Sequence, residues 1–460
     1  MELVIVQTTE QTQNLQKADE KYLWHAMRGA APSPTNLIIT KAEEAWVTDI
    51  DGNRYLDGMS GLWCVNVGYG RKELARAAFE QLEEMPYFPL TQSHVPAIKL
   101  AEKLNEWLGD EYVIFFSNSG SEANETAFKI ARQYHQQKGD HGRYKFISRY
   151  RAYHGNSMGA LAATGQAQRK YKYEPLGQGF LHVAPPDTYR NPDDVHTLAS
   201  ADEIDRVMTW ELSQTVAGVI MEPIITGGGI LMPPDGYMAK VKEICEKHGA
   251  LLICDEVICG FGRTGKPFGF MNYGVKPDII TMAKGITSAY LPLSATAVRR
   301  EVYEAYIGSE DYEAYIGSED YDRFRHVNTF GGNPAACALA LKNLEIMENE
   351  KLIERSKELG ERLLYELEDV KEHPNVGDVR GKGLLLGIEL VEDKQIKEPA
   401  AIEKVNKVIN ACKEKGLIIG KNGDTVAGYN NILQLAPPLS ITEEDFTFIV
   451  KTIKECLSQL

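Results

Sequence analysis

Five short apolar runs constrain the fold of this chain more than any other feature of its sequence. The runs are YVIFFS (112–117), KFISRY (145–150), VAGVIM (216–221), LLICDEV (251–257) and DIITMA (278–283). Each is short enough for a buried strand, and helical spacing returns between them. Strands and helices that alternate in this way form a mostly parallel sheet covered by helices. We therefore predict an α/β fold.

The pattern of elements changes after residue 334. Charged amphipathic helices dominate residues 335–370, and they are followed by the strand LLLGIELV, a helix near 402–415, the strand NILQLA and a terminal helix. This second group predicts a smaller α/β C-terminal domain over 336–460. Near the other end of the chain, AWVTDIDGNRYLD (45–57) predicts a hairpin.

The charge balance and the cysteines limit the partners. The formal net charge of -15 disfavours nucleic acid and anionic membrane surfaces, because both need a basic face. Residues 1–13 have neither the basic region nor the long apolar segment of an export signal, and no uncharged apolar run is long enough to cross a bilayer. We expect a cytoplasmic protein. Its seven cysteines have no C-x-x-C spacing, so we expect reduced thiols and no metal site.

One nine-residue segment, YEAYIGSED, occurs twice in succession, at 303–311 and 312–320. Two such copies are too few and too short for a solenoid, which buries its core between several larger units. We predict a duplicated surface segment.

The stretch LLICDEVICGFGRTG (251–265) contains the pattern G-x-G-x-x-G directly after an apolar run. In nicotinamide-dependent dehydrogenases such glycines open a helix whose N-terminal amides bind a pyrophosphate. Here Pro267 and Gly269 follow the last motif glycine, and both residues disfavour a helix. We predict a loop, which leaves the dehydrogenase as a distant alternative.

A better phosphate site is predicted in SNSGSEANETAFKIARQYHQQ (117–137). Ser119 and Glu122 have the spacing of a capping box, and the residues that follow have helical periodicity. The backbone amides of Gly120 and Ser121 would then lie in the first helical turn, where amides lack intrahelical partners and the helix dipole is positive. That arrangement binds phosphate, although an ordinary capped helix would have the same sequence.

Lys284 and Asp255 each follow a predicted buried strand. The ammonium group of a lysine there is costly to desolvate, so such a lysine often works as a neutral amine or an imine-forming residue. In the alternative interpretation its side chain extends to the edge of the sheet, where the ammonium stays in water. Asp255 lies at the carboxyl end of its strand, where ligands bind, and it needs a cationic partner. A phosphate site, an imine-forming lysine and a carboxylate for a pyridinium nitrogen are together what pyridoxal 5'-phosphate (PLP) chemistry requires. The sequence thus predicts that Lys284 binds PLP and transfers the substrate proton while Asp255 keeps the ring nitrogen protonated.

Five motifs, in this order, carry a resemblance to a known family: SNSGSEANE, YRAYHG, ICDEVICGFGRTG, the AKG around Lys284 and NTFGGNPAACA. Together they resemble the class III aminotransferases of fold type I, over nearly the whole chain. SGLWCVNVGYGR (60–71) is further similar to the omega-transaminase branch, which comprises amine:pyruvate and β-alanine:pyruvate enzymes. The resemblance implies a homodimer, or a dimer of dimers, with shared active sites. It also implies a large PLP-binding domain over 66–335 and an N-terminal segment, 1–65, that contributes to the small domain and to the pocket.

The resemblance also implies roles for individual residues. For the cofactor it implies that Gly120 and Ser121 contact the phosphate and that Tyr153 and Val257 contact opposite faces of the ring. It implies that Thr329 contacts the phosphate of the cofactor bound by the neighbouring subunit. Glu222 would lie near the cofactor. For the substrate it implies a pocket lined by Leu62, Trp63 and Tyr153. From the sequence alone, Trp63 and Tyr153 would more readily be aromatic core residues.

The sequence departs from the family pattern at two positions. Many class III enzymes have a glutamine directly after D-E-V, and this glutamine contacts the cofactor. Here Ile258 takes its place, as tends to be the case in the amine:pyruvate branch. That branch also usually has a mobile arginine in the C-terminal domain, which binds the carboxylate of the acceptor. Here GLIIGKNGDTVAGYNN (416–431) offers only Lys421, which lacks the bidentate geometry of arginine.

We therefore expect transamination from a primary amine or omega-amino acid to a small 2-oxo acid such as pyruvate, by a ping-pong mechanism through a Lys284 Schiff base. Other class III specificities, such as diamino acids or 4-aminobutyrate, and a PLP-dependent aminomutase or decarboxylase would use the same core. An aminotransferase-like regulator is disfavoured, because it would need an added basic DNA-binding region.

Overall fold

The computed structural model describes residues 9–27, 37–109, 111–307, 323–423 and 425–460. The α-helices of these residues are α1 (Thr9–Tyr22), α2 (Ser60–Trp63), α3 (Lys72–Glu84), α4 (Val95–Leu108), α5 (Gly120–Gln137), α6 (Met158–Ala163), α7 (Ala167–Lys170), α8 (Asp194–Thr197), α9 (Ala199–Trp210), α10 (Tyr237–His248), α11 (Arg300–Ile307), α12 (Pro334–Asn349), α13 (Leu352–Glu366), α14 (Ile402–Glu414) and α15 (Glu443–Leu457). The strands are β1 (Ile39–Glu43), β2 (Trp46–Asp49), β3 (Arg54–Asp57), β4 (Tyr112–Ser117), β5 (Lys145–Arg149), β6 (Phe180–Val183), β7 (Val216–Met221), β8 (Leu251–Asp255), β9 (Ile279–Met282), β10 (Ser294–Arg299), β11 (Val376–Gly381), β12 (Leu386–Asp393), β13 (Glu398–Pro399), β14 (Leu417–Ile418), β15 (Gly420–Lys421) and β16 (Ile432–Leu435).

The largest sheet has seven strands in the order β4-β10-β9-β8-β7-β5-β6. The five strands from β9 to β6 in this order run parallel, whereas β10 runs antiparallel between β4 and β9. All five apolar runs of the sequence contribute a strand to this sheet. The prediction of a mostly parallel sheet with helices is therefore confirmed.

The central strands are buried on both faces, which explains why their sequences are apolar without alternation. Every residue of β7, β8 and β9 is buried. Helix α5 packs across these three strands and β10. Helix α10 packs against β8, and α4 against β4. The sheet therefore fixes the position of the candidate residue Asp255, which ends β8, and that of the end of β9, which Lys284 follows by two positions.

Two smaller sheets join distant parts of the chain. The hairpin predicted in 45–57 is present as β2 and β3, with β1 paired to β2 and β14 paired parallel to β3. The other sheet contains β11, β12, β13, β15 and β16. Strand β14 thus ties the C-terminal part of the chain to the N-terminal segment. Helix α12, which begins close to the predicted boundary at 335, packs against α3 and α4; the division into domains at 65 and 335 stays a prediction.

The G-x-G-x-x-G segment forms consecutive turns and no helix, as predicted. Gly262 and Gly265 have φ angles of +82° and +78°, a conformation that side chains other than glycine rarely adopt. A Cβ atom on Gly265 would lie 2.8 Å from the Cβ atom of Lys357. Glycine is required here by backbone conformation and by close packing, so the motif has a structural explanation.

Arg263 lies between these glycines and is fully buried. Its guanidinium donates to the backbone oxygens of Leu384 and Pro437, at 3.0 and 2.5 Å. It also donates to the side chains of Ser60 and Asn66, at 3.3 and 2.9 Å. Partners of its donors offset the cost of burying a cation, and here the partners of Nη1 and Nη2 come from both the N-terminal and the C-terminal parts of the chain.

The duplicated YEAYIGSED segment falls almost entirely outside the described residues. Only residues 303–307 of the first copy lie within them, at the end of α11. The predicted surface insertion at 312–320 therefore stays a prediction.

In the part of the chain that the structure describes, none of the helices combines the length and the apolar character that crossing a bilayer requires.

Candidate active site

One cavity of about 350 Å³ lies where the segments after β8 and β9 meet the first turn of α5. Seven of the residues singled out in the sequence line it: Gly120, Ser121, Tyr153, Glu222, Asp255, Val257 and Lys284. Ile258 lines it as well, so an apolar side chain occupies the position where many class III enzymes have glutamine. The volume is within the usual range for a small-molecule site. Residues spread over 165 positions, from 120 to 284, thus meet at one place.

Helix α5 begins at Gly120, with Ser119 as its N-cap. The Ser119 hydroxyl accepts a hydrogen bond from the amide of Glu122 at 3.3 Å. The reciprocal half of the predicted capping box is wrong, because the Glu122 carboxylate accepts from the amide of Asn118, at 2.7 Å, and not from that of Ser119. Residues 118–121 line the cavity, so the amides and the positive dipole end of α5 are available to an anion there.

Asp255 accepts hydrogen bonds on both carboxylate oxygens. Oδ2 accepts from Nδ2 of Asn124 and from Nδ1 of His154, each at 2.9 Å. Oδ1 accepts from the amide of Val257 at 3.1 Å. Because an ionised carboxylate only accepts, His154 carries a proton on Nδ1 in this arrangement. Oδ1 keeps a free lone pair with which to bind a cationic ligand group in the cavity.

Lys284 follows β9 in the left-handed region, with φ of +49°. Its Nζ donates to the backbone oxygen of Leu62 at 3.1 Å and lies 5.8 Å from the ring centroid of Trp63. Leu62 and Trp63 belong to a short distorted helix in which Gly61 has φ of 66° and ψ of -97°. These two predicted pocket residues therefore lie beside Lys284, although neither lines the cavity itself.

Glu222 lies directly after β7 and is buried. Its Oε1 accepts from the amide of Tyr153 at 3.1 Å, and its Oε2 accepts from the amide of Thr226 at 3.0 Å and from the Thr226 hydroxyl. Burial raises the pKa of the Glu222 carboxyl. The carboxyl thus holds the backbone of the residue whose aromatic ring lines the cavity, a role that the sequence did not indicate.

Three residues of this neighbourhood were missed in the sequence. Asn124 and His154 contact Asp255 as described. Arg169, on α7, has its guanidinium carbon 5.0 Å from the ring centroid of Tyr153 and donates from Nε to Oε1 of Gln166 at 2.7 Å. Asn124 was recognisable as the residue one helical turn after Gly120, and His154 as the neighbour of Tyr153; no sequence signal indicated Arg169.

Thr329 and Lys421 are not brought to this cavity. Thr329 is exposed and lines a second cavity of about 370 Å³, where the hydroxyl of Tyr87 donates to its backbone oxygen at 2.9 Å. Lys421 lies on β15 and pairs with Leu433. The role of Thr329 concerns the cofactor of a neighbouring subunit, so it stays a prediction, as does that of Lys421.

The residues present fit PLP. The α5 N-terminus offers backbone amides to a phosphate, Asp255 offers a carboxylate oxygen to a protonated ring nitrogen, and Lys284 offers a primary amine. The loop at Gly155 has no room for a side chain, because a Cβ atom there would lie 2.5 Å from Oγ of Ser121. The backbone on this side of the cavity is thus packed closely against the first turn of α5.

Comparisons with known proteins agree with this chemistry. The family model described as aminotransferase class-III matches residues 28–457. The chain is 75% identical to an uncharacterized aminotransferase of Bacillus subtilis (strain 168), over 99% of both chains. It is 42% identical to a taurine–pyruvate aminotransferase of Bilophila wadsworthia (strain 3_1_6), over 96% of both chains.

Solved structures show the same similarity. A Bacillus anthracis aminotransferase has a TM-score of 0.95 and 66% identity, over 99% of this chain and 100% of that one. An omega-transaminase from Pseudomonas jessenii in complex with PMP has a TM-score of 0.88 and 33% identity, over 97% of this chain and 98% of that one. The whole-length matches, together with a cavity that joins Lys284, Asp255 and the start of α5, lead to one conclusion: the chain belongs to the PLP-dependent class III aminotransferases, in their omega-transaminase branch.

Proposed function

We propose that this aminotransferase transfers the amino group of an omega-amino acid, or of another primary amine, to a small 2-oxo acid such as pyruvate. The observation that carries the proposal is the cavity that joins Lys284, Asp255 and the start of α5. Arg169 lies outside the lining of this cavity but beside the ring of Tyr153, which lines it. The names of two relatives support it: a taurine–pyruvate aminotransferase at 42% identity and a putrescine–pyruvate aminotransferase of Pseudomonas aeruginosa at 36% identity.

The cofactor site is assigned as follows. The amides of Gly120 and Ser121 would bind the phosphate, where the helix dipole favours an anion. Oδ1 of Asp255 would accept a hydrogen bond from the ring nitrogen and so keep its proton in place. Tyr153 and Val257 would cover the two faces of the ring and exclude water from it. Bound PLP supplies an electrophilic carbon that amines attack and a ring that accepts electrons.

Lys284 is assigned the covalent and proton-transfer roles. Its Nζ would hold the cofactor covalently and, as a free amine, would move a proton to and from the substrate carbon. The backbone oxygen of Leu62, 3.1 Å from Nζ, would hold the free amine near the cavity. The Trp63 ring beside it restricts access of water to the amine.

Arg169 is assigned the recognition of the acid group of the substrate. An omega-amino acid has an anionic group at the end opposite its amine, and the planar guanidinium binds such oxyanions with paired hydrogen bonds. Neither Arg169 nor Lys421 is among the residues that line the cavity. The guanidinium carbon of Arg169, however, lies 5.0 Å from the ring centroid of Tyr153, which does line it. We therefore assign Arg169, in place of Lys421, to the acid group of the donor and to the carboxylate of the 2-oxo acid in the second half-reaction.

We further propose a homodimer in which the surface around Thr329 contacts the neighbouring subunit. Tyr87, Phe88 and Phe330 are 40%, 45% and 64% exposed, and the rings of Tyr87 and Phe330 are 6.0 Å apart. Exposed aromatic groups of this kind mark protein interfaces. Thr329 lies between them in this surface and would reach the phosphate bound by the other subunit.

A half-reaction screen tests the proposed specificity. The PLP form of the enzyme is mixed with taurine, β-alanine, 4-aminobutyrate or putrescine, and the loss of visible cofactor absorbance is followed. We expect taurine or β-alanine to discharge the cofactor, and pyruvate to restore it with formation of alanine. Failure of every amine to yield alanine from pyruvate would contradict the proposal. An isomerised amine formed without consumption of an acceptor would instead identify an aminomutase.

A further inference from the structure

We propose that Asn124 is a positioning residue for Asp255. Its side-chain amide holds Oδ2 of the carboxylate so that Oδ1 stays available to the cavity, and the hydroxyl of Thr281 fixes the orientation of the amide. The inference rests on the proposed role of Asp255 and extends it to two residues for which neither the sequence nor the family resemblance gave a role.

The Asn124 side chain is 1% exposed, and its polar atoms have partners. Nδ2 donates to Oδ2 of Asp255 at 2.9 Å and to the backbone oxygen of His154 at 2.6 Å. Oδ1 accepts from the hydroxyl of Thr281 at 2.7 Å. Both hydrogens of the amide and one lone pair of its oxygen are therefore used within a buried network.

These partners allow only one orientation of the amide. Rotation of the amide by 180° would direct its oxygen at two other acceptors, Oδ2 of Asp255 and the backbone oxygen of His154. Both would lose the donation from Asn124, and Oδ2 of Asp255 would keep only the donation from Nδ1 of His154. Such buried unpaired groups are costly. The amide therefore always presents hydrogens to Asp255, and the Thr281 hydroxyl completes the arrangement from the opposite side.

The network joins the three elements that build the cavity. Asn124 lies on α5, one turn after Gly120, and Asp255 ends β8. Thr281 is the partner of Asp255 in the pairing of β8 with β9, and it precedes Lys284 by three residues. The carboxylate is thus fixed relative both to the proposed phosphate site and to the strand that leads to the lysine.

Asn124 and His154 supply different kinds of hydrogen bond to the same oxygen. His154 donates to Oδ2 only when Nδ1 carries the proton, and within the described residues its Nε2 is buried without a partner. The donation from an amide does not depend on protonation. The hydrogen bond from Asn124 to Asp255 therefore does not depend on which ring nitrogen of His154 carries a hydrogen.

A double-mutant cycle tests this inference through binding, without relying on turnover. The apoproteins of wild type, Asn124→Ala, Asp255→Asn and the double variant are titrated by calorimetry with pyridoxamine 5'-phosphate, which binds without a covalent bond to Lys284. We expect Asn124→Ala to raise Kd roughly 10- to 100-fold, the range for a lost hydrogen bond to a charged group. In the Asp255→Asn background, Asn124→Ala should raise Kd by no more than about twofold, because the carboxylate that Asn124 positions is then absent and only the usual scatter of independent effects remains.

Equal losses in the two backgrounds would overturn the inference, because Asn124 would then act independently of the carboxylate. An unchanged Kd for Asp255→Asn alone would overturn the proposed role of Asp255 instead. Thermal melting of the apoproteins shows whether Asn124→Ala folds. If it does not, Thr281→Val and Thr281→Ser provide a matched pair of variants that tests the same network. Thr281→Val should raise Kd and Thr281→Ser, which keeps the hydroxyl, should leave it close to wild type; equal values for the two would contradict the role of Thr281.

Discussion

Nζ of Lys284 donates a hydrogen bond to the backbone oxygen of Leu62, 3.1 Å away and 222 positions earlier in the chain. The contact brings the N-terminal segment to the amine that we propose binds the cofactor. Gly61, in the left-handed region at φ of 66°, gives the turn the shape that directs this carbonyl toward the lysine. The N-terminal segment therefore contacts Lys284 directly, as its predicted contribution to the pocket requires.

Replacement of Lys284 by Ala should abolish the covalent attachment of the cofactor and nearly all turnover. The phosphate contacts proposed at α5 remain, so the variant should still bind PLP noncovalently. The measurement is borohydride reduction followed by mass spectrometry of the intact chain. Lys276→Ala, which removes an exposed lysine paired with Glu111, is the control and should retain the reducible adduct. An adduct in the Lys284→Ala protein would assign the covalent bond to another lysine.

Asp255→Asn should slow the chemical step on the order of 100-fold, by analogy with the loss of other preorganised charge interactions. The substitution keeps the shape of the side chain but removes the negative charge that retains the proton on the ring nitrogen. Single-turnover kinetics with a saturating amine isolate this step from substrate binding. An unchanged single-turnover rate would be incompatible with the assigned role.

Arg169→Leu should raise KM for taurine or β-alanine tenfold or more, the order expected when a charge-assisted hydrogen-bond partner is removed. The KM for putrescine should change little, because a diamine has no acid group to lose a partner. Lys421→Leu provides the comparison, since it removes the cation that the sequence indicated. If Lys421→Leu raises KM for the acids and Arg169→Leu does not, the acid group binds at Lys421.

Mixing two inactive variants should restore activity if the active sites are shared. One chain carries Lys284→Ala and the other carries Thr329→Glu, whose carboxylate would repel the phosphate of the neighbouring subunit's cofactor. In a mixed dimer one site contains both substitutions and the other contains neither. A tagged, purified heterodimer should therefore show up to one working site. Activity no higher than in the two parents would mean that both residues serve the same chain's site.

Glu256 should make stability depend on pH. Burial raises the pKa of its carboxyl to about 8, although the amides of Gly269 and Phe270, each at 2.7 Å, act in the opposite direction. Between the ordinary value of 4.5 and about 8, the folded protein keeps a proton that the unfolded chain releases. The free energy of unfolding therefore falls as pH rises through this window.

Calorimetry of Glu256→Gln across this window measures the effect. Gln should lower Tm at every pH, because it replaces one of the two acceptor oxygens by an amide group that donates. The slope of Tm against pH should nevertheless be shallower than in wild type, since the titrating group is gone. Parallel curves for the two proteins would show that Glu256 does not carry the predicted proton.

The sequence predicted the sheet, and it singled out Asp255 and Lys284, which the structure brings to one cavity, because both leave local signals. Apolar runs mark β7, β8 and β9, and a charged residue shortly after such a run, as at Asp255 and Lys284, is conspicuous. The Gly-rich loop was recognised from Pro267 and Gly269. These signals depend only on neighbouring residues.

What the sequence did not show depends on contacts between distant residues. The bond between Asn124 and Asp255 spans 131 positions, and the position of Arg169 beside Tyr153 results from the path of the chain between β5 and β6. The prediction of a capping box was wrong for one of its two hydrogen bonds. The Glu122 carboxylate accepts from the amide of Asn118, one residue before the expected donor. Periodicity and propensity do not encode such choices, which tertiary packing decides.

The positions of the acceptors of the buried Arg263 guanidinium along the chain limit how early this region can fold during synthesis on the ribosome. Ser60 and Asn66 precede Arg263 by 203 and 197 positions, while Leu384 and Pro437 follow it by 121 and 174. A growing chain therefore cannot complete this set until residue 437 has left the exit tunnel. Until then the cation between the two glycines stays hydrated, and the loop behind Asp255 lacks its final anchorage. The loop that follows Asp255 is accordingly completed only after the segment around Pro437 has been synthesised and released.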